Sequence, residues 1–116
     1  MAGECFTFHG TLRLYNGNPT YRIWRVGTKH LLGVLCDEDP IVPANLESAV
    51  SEGSKASWWY REFSGDYEVC PFTAAKPGWM QFVCVEKVSN LVVYDHVLKR
   101  IVKDERHPVS LPSAPH

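Results

Sequence analysis

Residues 6–34 read FTFHGTLRLYNGNPTYRIWRVGTKHLLGV, and their alternation of apolar and polar side chains decides the fold class. From Phe6 to Leu14 the even positions hold Phe6, Phe8, Gly10, Leu12 and Leu14, and the odd ones Thr7, His9, Thr11 and Arg13. A period of two puts one set on each face of a strand. Asn16-Gly17-Asn18-Pro19 follows, with residues that tolerate positive φ and a proline that cannot donate to a ladder, so the chain turns back there. A second strand is predicted from Tyr21 to Val26, and Gly27-Thr28 fits a two-residue type II′ loop into a third. That loop opposes Trp24 to Leu31, Ile23 to Leu32 and Tyr21 to Val34. The first hairpin, closed around Gly17-Asn18, opposes Leu14 to Tyr21 and Leu12 to Ile23. Opposed residues share a face, so both turns gather Leu12, Leu14, Tyr21, Ile23, Leu32 and Val34 into one core.

Beyond this meander, Asp37-Glu38-Asp39-Pro40 ends the third strand. Pro43 to Glu52 (PANLESAVSE) carries Leu46, Ala49 and Val50 at helical spacing, with Gly53 placed to end the helix. The three acids lack the alternating ligands of a calcium loop and fit the positive end of that helix instead. Ser57 to Phe63 (SWWYREF) reads as a strand or an extended link. Strands are expected over Asp66 to Phe72 and Trp79 to Val88, joined by a type II turn at Lys76-Pro77-Gly78-Trp79. Asn90 marks a bulge or a break before Leu91 to Tyr94. Val97, Leu98, Ile101 and Val102 have the spacing of a short amphipathic helix. The expected organisation is one domain over residues 1–106 and a flexible, proline-bearing C-terminal tail over 107–116. The element order β-β-β-α-β-β is that of the five-stranded OB barrel, so the fold class is mainly β: a small antiparallel barrel of OB-like order with one or two short helices.

A length of 116 residues fits one domain. Twelve basic and 13 acidic residues leave a formal net charge of −1, which excludes a surface built wholly to condense on nucleic acid or anionic lipid but leaves room for a local basic patch. The longest apolar run, around Leu91 to Tyr94, is far short of the roughly 20 residues of a membrane span. Met1 to Cys5 lacks a basic and apolar leader. The chain as written is therefore expected to be soluble and cytoplasmic, with an exported form left open.

The four cysteines, Cys5, Cys36, Cys70 and Cys84, include no short ligand pair of the zinc-site kind, and no metal or cofactor is expected. In one hairpin register Cys70 opposes Cys84, where the two could form a cross-strand disulfide, Phe72 opposes Phe82 and Glu68 opposes Glu86. A two-residue Pro77-Gly78 loop shifts the register by one and sends the two cysteines to opposite faces. The turn chemistry and the unfavourable glutamate pair both favour the second, and with it buried free thiols. His9 and His30 approach each other through Arg25 and Val26, without the nucleophile or acid of a catalytic set. GxSxG, HExxH, GxxxxGK[ST] and GxGxxG are all missing from the sequence, so no catalytic residues are assigned.

The remaining chemistry is aromatic and basic. Arg13, Arg22, Trp24, Arg25 and Lys29 fall on or near the face opposite the core, with Trp58, Trp59, Tyr60 and Arg61 as a further cluster. Exposed aromatics stack on bases or sugar rings, and flanking cations hold acidic groups, as on OB-type faces. The expected ligand-binding set is Arg13, Arg22, Trp24 and Lys29, serving a non-catalytic binding module for an oligomeric ligand, nucleic acid or glycan. The alternative is a protein-interaction or self-assembly subunit using Trp58 to Arg61 or an open sheet edge.

CFTFHGTLRLYNGNPTYRIWRVGTKHLLGV, Cys5 to Val34, resembles the opening of a group of small uncharacterised bacterial proteins with the pattern CF…G.L..YNG.P..RIW..GT..LLGV. GDYEVCPF (Gly65 to Phe72) and MQFVCVE (Met80 to Glu86) resemble its later part. The resemblance covers about half the chain and implies a bacterial source and a shared fold. It assigns no activity and no residue roles. Some of the similar proteins carry export signals.

Overall fold

The computed structural model describes residues 3–15, 20–35, 42–52, 59–74, 76 and 78–106. These form β1 (Phe6–Leu14), β2 (Tyr21–Arg25), β3 (Leu31–Val34), α1 (Ala44–Ser51), β4 (Arg61–Pro71), β5 (Phe82–Asp95) and β6 (Arg100–Asp104). The sheet order is β3-β2-β1-β4-β5-β6, and β3 also pairs with β5. That last contact is parallel while all other neighbours are antiparallel, so β1, β2, β3, β5 and β4 close into a ring of OB-like order. Among the described residues no helix is long and apolar enough to cross a membrane.

The meander has the register its alternation demands, with Leu12 opposite Ile23, Leu14 opposite Tyr21, Ile23 opposite Leu32 and Trp24 opposite Leu31. The loop between β2 and β3 differs from the expected two-residue type II′ turn. The Thr28 N–H donates to the Arg25 carbonyl (3.1 Å) and the Arg25 N–H to the His30 carbonyl (3.1 Å). Gly27, at φ +86°, therefore takes the third position of a turn that begins at Arg25. The strand register is the same for either turn.

Leu12, Ile23, Leu46, Phe63, Tyr67, Val69, Val83 and Leu91 are fully buried inside the ring. Each large apolar side chain among them contributes about 1.5–3 kcal/mol by leaving water. α1 supplies Leu46, Ala49 and Val50 to this core, as its spacing predicts. Asn45 Nδ2 donates to the Val88 carbonyl (2.9 Å), pinning the helix to β5. Gly53 and the acids at 37–39 lie outside the described residues, as does the tail at 107–116.

The β4–β5 pairing contains both registers that the sequence allows. Cys70 opposes Cys84 and Pro71 opposes Val83, but beyond an irregularity between Glu68 and Val69 the ladder steps by one and Glu68 meets Lys87. A bulge thus removes the glutamate pair by leaving Glu86 without an opposite number. The turn at Lys76 does form, with the Trp79 N–H on the Lys76 carbonyl (3.1 Å) and Gly78 at φ +79°. It sits at the tip of a longer loop, and β5 begins at Phe82 rather than Trp79. β5 then runs unbroken through Asn90, whose φ of +55° marks the bulge expected there.

Two further expectations are overturned. The helix read over Val97 to Val102 is instead a hairpin leading into β6. Asp95 accepts the N–H groups of Val97 and Leu98 (2.8 Å each), as a helix N-cap would, but Lys99 adopts a φ of +57° and Arg100 pairs back with Asp95, so the chain reverses instead of continuing as a helix. β6 pairs with the C-terminal end of β5 and β3 with its N-terminal end, so successive stretches of β5 satisfy their backbone groups on different strands. The cysteines are not free thiols either. Cys5 and Cys70 form a disulfide, Cys84 is disulfide-bonded as well, and no described cysteine is free. Phe6 opposes Val69 in the β1–β4 ladder, so one step further Cys5 comes to Cys70.

Candidate functional site

The outward faces of all six strands share one transverse row. Leu31 opposes Trp24, Trp24 opposes Thr11, Thr11 opposes Ser64, Ser64 opposes Val92 and Val92 opposes Asp104. In the next row Arg22 opposes Arg13, the Arg13 guanidinium reaches Glu62 on β4, Glu62 opposes Tyr94 and Tyr94 opposes Ile101. Small hydroxyl residues thus form a floor between two aromatic shoulders. Thr11 Oγ1 and Ser64 Oγ are hydrogen-bonded at 3.0 Å.

On the β2 side of this floor lies a shallow cleft of about 310 Å³ lined by Thr11, Arg13, Tyr15, Trp24, Leu31 and Glu62. Trp24 is 45% exposed, and its indole N–H donates to the Thr28 carbonyl (2.6 Å), which fixes the ring orientation. The Arg22 guanidinium lies 4.6 Å from the centre of the Tyr15 ring, a cation–π arrangement. Arg13 reaches Glu62 (3.8 Å), and Glu62 also meets His96 Nε2 (3.1 Å).

On the β5 side a second cleft of about 390 Å³ includes His9, Ser64, Asp66, Asn90, Val92 and Tyr94. Tyr94 and His96 meet edge to face at 4.8 Å. His9 Nδ1 lies 3.3 Å from Asp66, and Asn90 Nδ2 donates to the other Asp66 oxygen (2.9 Å). These two contacts, Asn90 foremost, hold the Asp66 carboxyl below its ordinary range. A histidine, a carboxylate and a serine therefore share one cleft, but the partner of the Ser64 hydroxyl is Thr11. The expected approach of His9 to His30 does not occur at the side chains. Only the His9 carbonyl takes part, accepting the Val26 N–H (3.0 Å), and His30 lines a different cleft.

Of the expected binding set, the outer face brings together Arg13, Arg22 and Trp24. Lys29 is not with them. It lines a cleft of about 550 Å³ at the mouth of the ring with Arg25, His30 and Trp79, because the β2–β3 loop is longer than two residues and carries Lys29 beyond the sheet face. Arg61 also departs from the expected cluster. Its parity on β4 is that of Phe63, so it turns inward and its Nε donates to the buried Asp95 (2.9 Å). Trp59 and Tyr60 are exposed, and Trp58 lies outside the described residues. Tyr15, Thr11, Ser64, Glu62, Tyr94 and Trp79 were not among the residues expected at a site. Only Trp79, in a Pro-Gly turn, carried a local signal.

Fold and site together define a small closed β ring with an exposed aromatic and hydroxyl-bearing sheet face. No family model, curated protein or solved structure matches this chain.

Proposed function

We propose that this protein is a non-catalytic binding module whose outer sheet face holds an oligosaccharide against Trp24. The carrying observation is the indole of Trp24, 45% exposed and held in place beside a floor of hydroxyl side chains. An aromatic ring left in water at a fixed orientation is available to stack on a flat apolar ligand surface. Paired donors and acceptors around it match the hydroxyl groups of a sugar.

Charge favours a glycan over nucleic acid. Arg13, His9 and Arg106 each have a carboxylate within 3.0 to 3.8 Å, on Glu62, Asp66 and Asp104. Phosphates laid along this face would meet those acids, whereas polyanion binding draws its affinity from uncompensated cations. The disulfides agree with an oxidising compartment. In the bacterial setting that the sequence resemblance implies, that is the periplasm or cell surface, where glycans are abundant. Protein docking through Trp59 and Tyr60 is the second reading, supported by the exposure of both side chains.

A glycan array probed with wild type and Trp24→Ala, with oligo(dT) as control, tests this. Loss of one stacking partner worth about 1–3 kcal/mol weakens binding roughly 5- to 150-fold. Oligo(dT) binding without glycan binding, or glycan binding indifferent to Trp24→Ala, contradicts the proposal.

A further inference from the structure

The cleft at the mouth of the ring differs in kind from the outer face. Arg25, Lys29, His30 and Lys76 line it, and among the described residues no aspartate or glutamate does. Among the described residues none of these four side chains is paired with a carboxylate. The Arg25 guanidinium instead lies over the Phe6 and Phe8 rings, 5.7 and 5.6 Å from their centres. Trp79 stands at the rim with 77% of its surface exposed, a large apolar cost in water for an isolated protein.

The loop that carries Lys29 is locked. Thr28 Oγ1 donates to the Arg25 carbonyl (2.7 Å) and accepts the His30 N–H (3.0 Å), while the Thr28 carbonyl accepts the Trp24 indole N–H (2.6 Å). Leu31 lines both this cleft and the Trp24 cleft. The two clefts are therefore neighbours across Leu31, one with its charges paired between Arg13 and Glu62 and with the hydroxyls of Thr11 and Tyr15, the other cationic with its own aromatic wall.

The geometry points to an acidic oligosaccharide as the ligand: neutral sugar rings lie over Trp24 while a carboxylate or sulfate group enters the mouth cleft between Lys29 and Lys76, beside Trp79. This rests on the glycan reading of the outer face and names its ligand class. A ligand charged on every unit would set anions against Glu62 and Asp66, whereas a chain with its acidic group at one end satisfies both regions. Opposed charges in a concave, partly desolvated cleft attract more strongly than on an open surface, and salt weakens that attraction.

Calorimetric titration of the full chain compares oligogalactosides with chains of equal length that carry a single terminal galacturonate or a single terminal sulfate, at low and high salt. The expected result is at least about tenfold tighter binding of one acidic series, a preference of about 1.4 kcal/mol. That preference shrinks in high salt and disappears in Lys29→Gln/Lys76→Gln, with neutral binding unchanged. Both lysines are exposed, so the double variant retains its fold, checked by its melting temperature. The uronate and sulfate arms separate the two sources of anion. Equal affinity for neutral and acidic chains, or an acidic preference that survives the double variant, overturns the inference. Trp24→Ala keeps the two claims distinguishable. If it leaves glycan affinity intact while the double variant loses acidic preference, the outer-face reading fails and the mouth cleft stands alone. Tighter binding of oligo(dT) than of either acidic series overturns both.

Discussion

Cys70 stands directly across the β4–β5 ladder from Cys84, yet its sulfur is bonded to Cys5. The bond ties the entry of β1 to the end of β4 across a sequence separation of 65 residues. Constraining an unfolded loop of that size stabilises the fold by about 4 kcal/mol in the chain-entropy description. The variant Cys5→Ser/Cys70→Ser is expected to lose about 2–4 kcal/mol in urea unfolding. An unchanged unfolding midpoint would show that the bridge adds nothing to the ring.

Gly10 and Gly65 face each other across β1 and β4, and neither position has space for a methyl group. A Cβ on Gly10 would lie 2.7 Å from both Ile23 Cγ2 and the Phe8 ring, and one on Gly65 would lie 2.9 Å from the Ser89 carbonyl oxygen. Side chains at the first site can shift, whereas backbone at the second cannot without moving the bulge. Gly10→Ala should cost about 1–3 kcal/mol, and Gly65→Ala at least as much. Paired denaturation curves check the order, and a Gly65→Ala protein as stable as wild type would rule out the tight β4–β5 approach.

The Asp95 carboxylate is 1% exposed and organises the β5–β6 hairpin. The Leu98 N–H, then the Arg61 guanidinium and the Val97 N–H, hold its pKa below the ordinary 3.8. A carboxyl depressed in the folded state contributes stability that is fully present above its unfolded value and is lost as pH falls through the folded one. Asp95→Asn should therefore be less stable than wild type at about pH 7, with the gap closing as pH falls below about 4. Melting temperatures across that range test it, and a gap of constant size at all pH values would contradict the assignment.

Local patterning carried the fold a long way. Leu12 and Ile23, or Ile23 and Leu32, could be paired from the alternation and the turns alone, and Leu46, Ala49 and Val50 announced α1. What stayed hidden depended on contacts distant in sequence. Cys5 meets Cys70, Thr11 meets Ser64 and His9 meets Asp66 only once β1 lies beside β4, a pairing that no turn between them specifies. The bulge that separates Glu68 from Glu86 adds a residue to one strand, and a strict period of two cannot register it. For the same reason the candidate site was half legible. Trp24 and Arg13 lie on strands whose register was clear, but Lys29 sits in a loop one turn longer than its Gly27-Thr28 dipeptide implied.

Trp24 is expected to matter little for stability, because nearly half of it is in water and its indole is held by a hydrogen bond to the Thr28 carbonyl. Trp24→Phe should change unfolding free energy by under about 1 kcal/mol, within the range of surface substitutions plus one hydrogen bond. A loss several times larger would mark Trp24 as a packing residue.

The central claim, that Trp24 is the stacking platform of a glycan site, is tested most directly by nuclear magnetic resonance. The four tryptophans give separate indole N–H signals, and Trp24→Phe identifies the one from Trp24. Titration with the glycan that scores highest on the array should move that signal and the Thr28 and Leu31 amides together. A Trp24 indole that stays in place while the ligand shifts the signals of Trp59 or of the sheet edge would contradict the account.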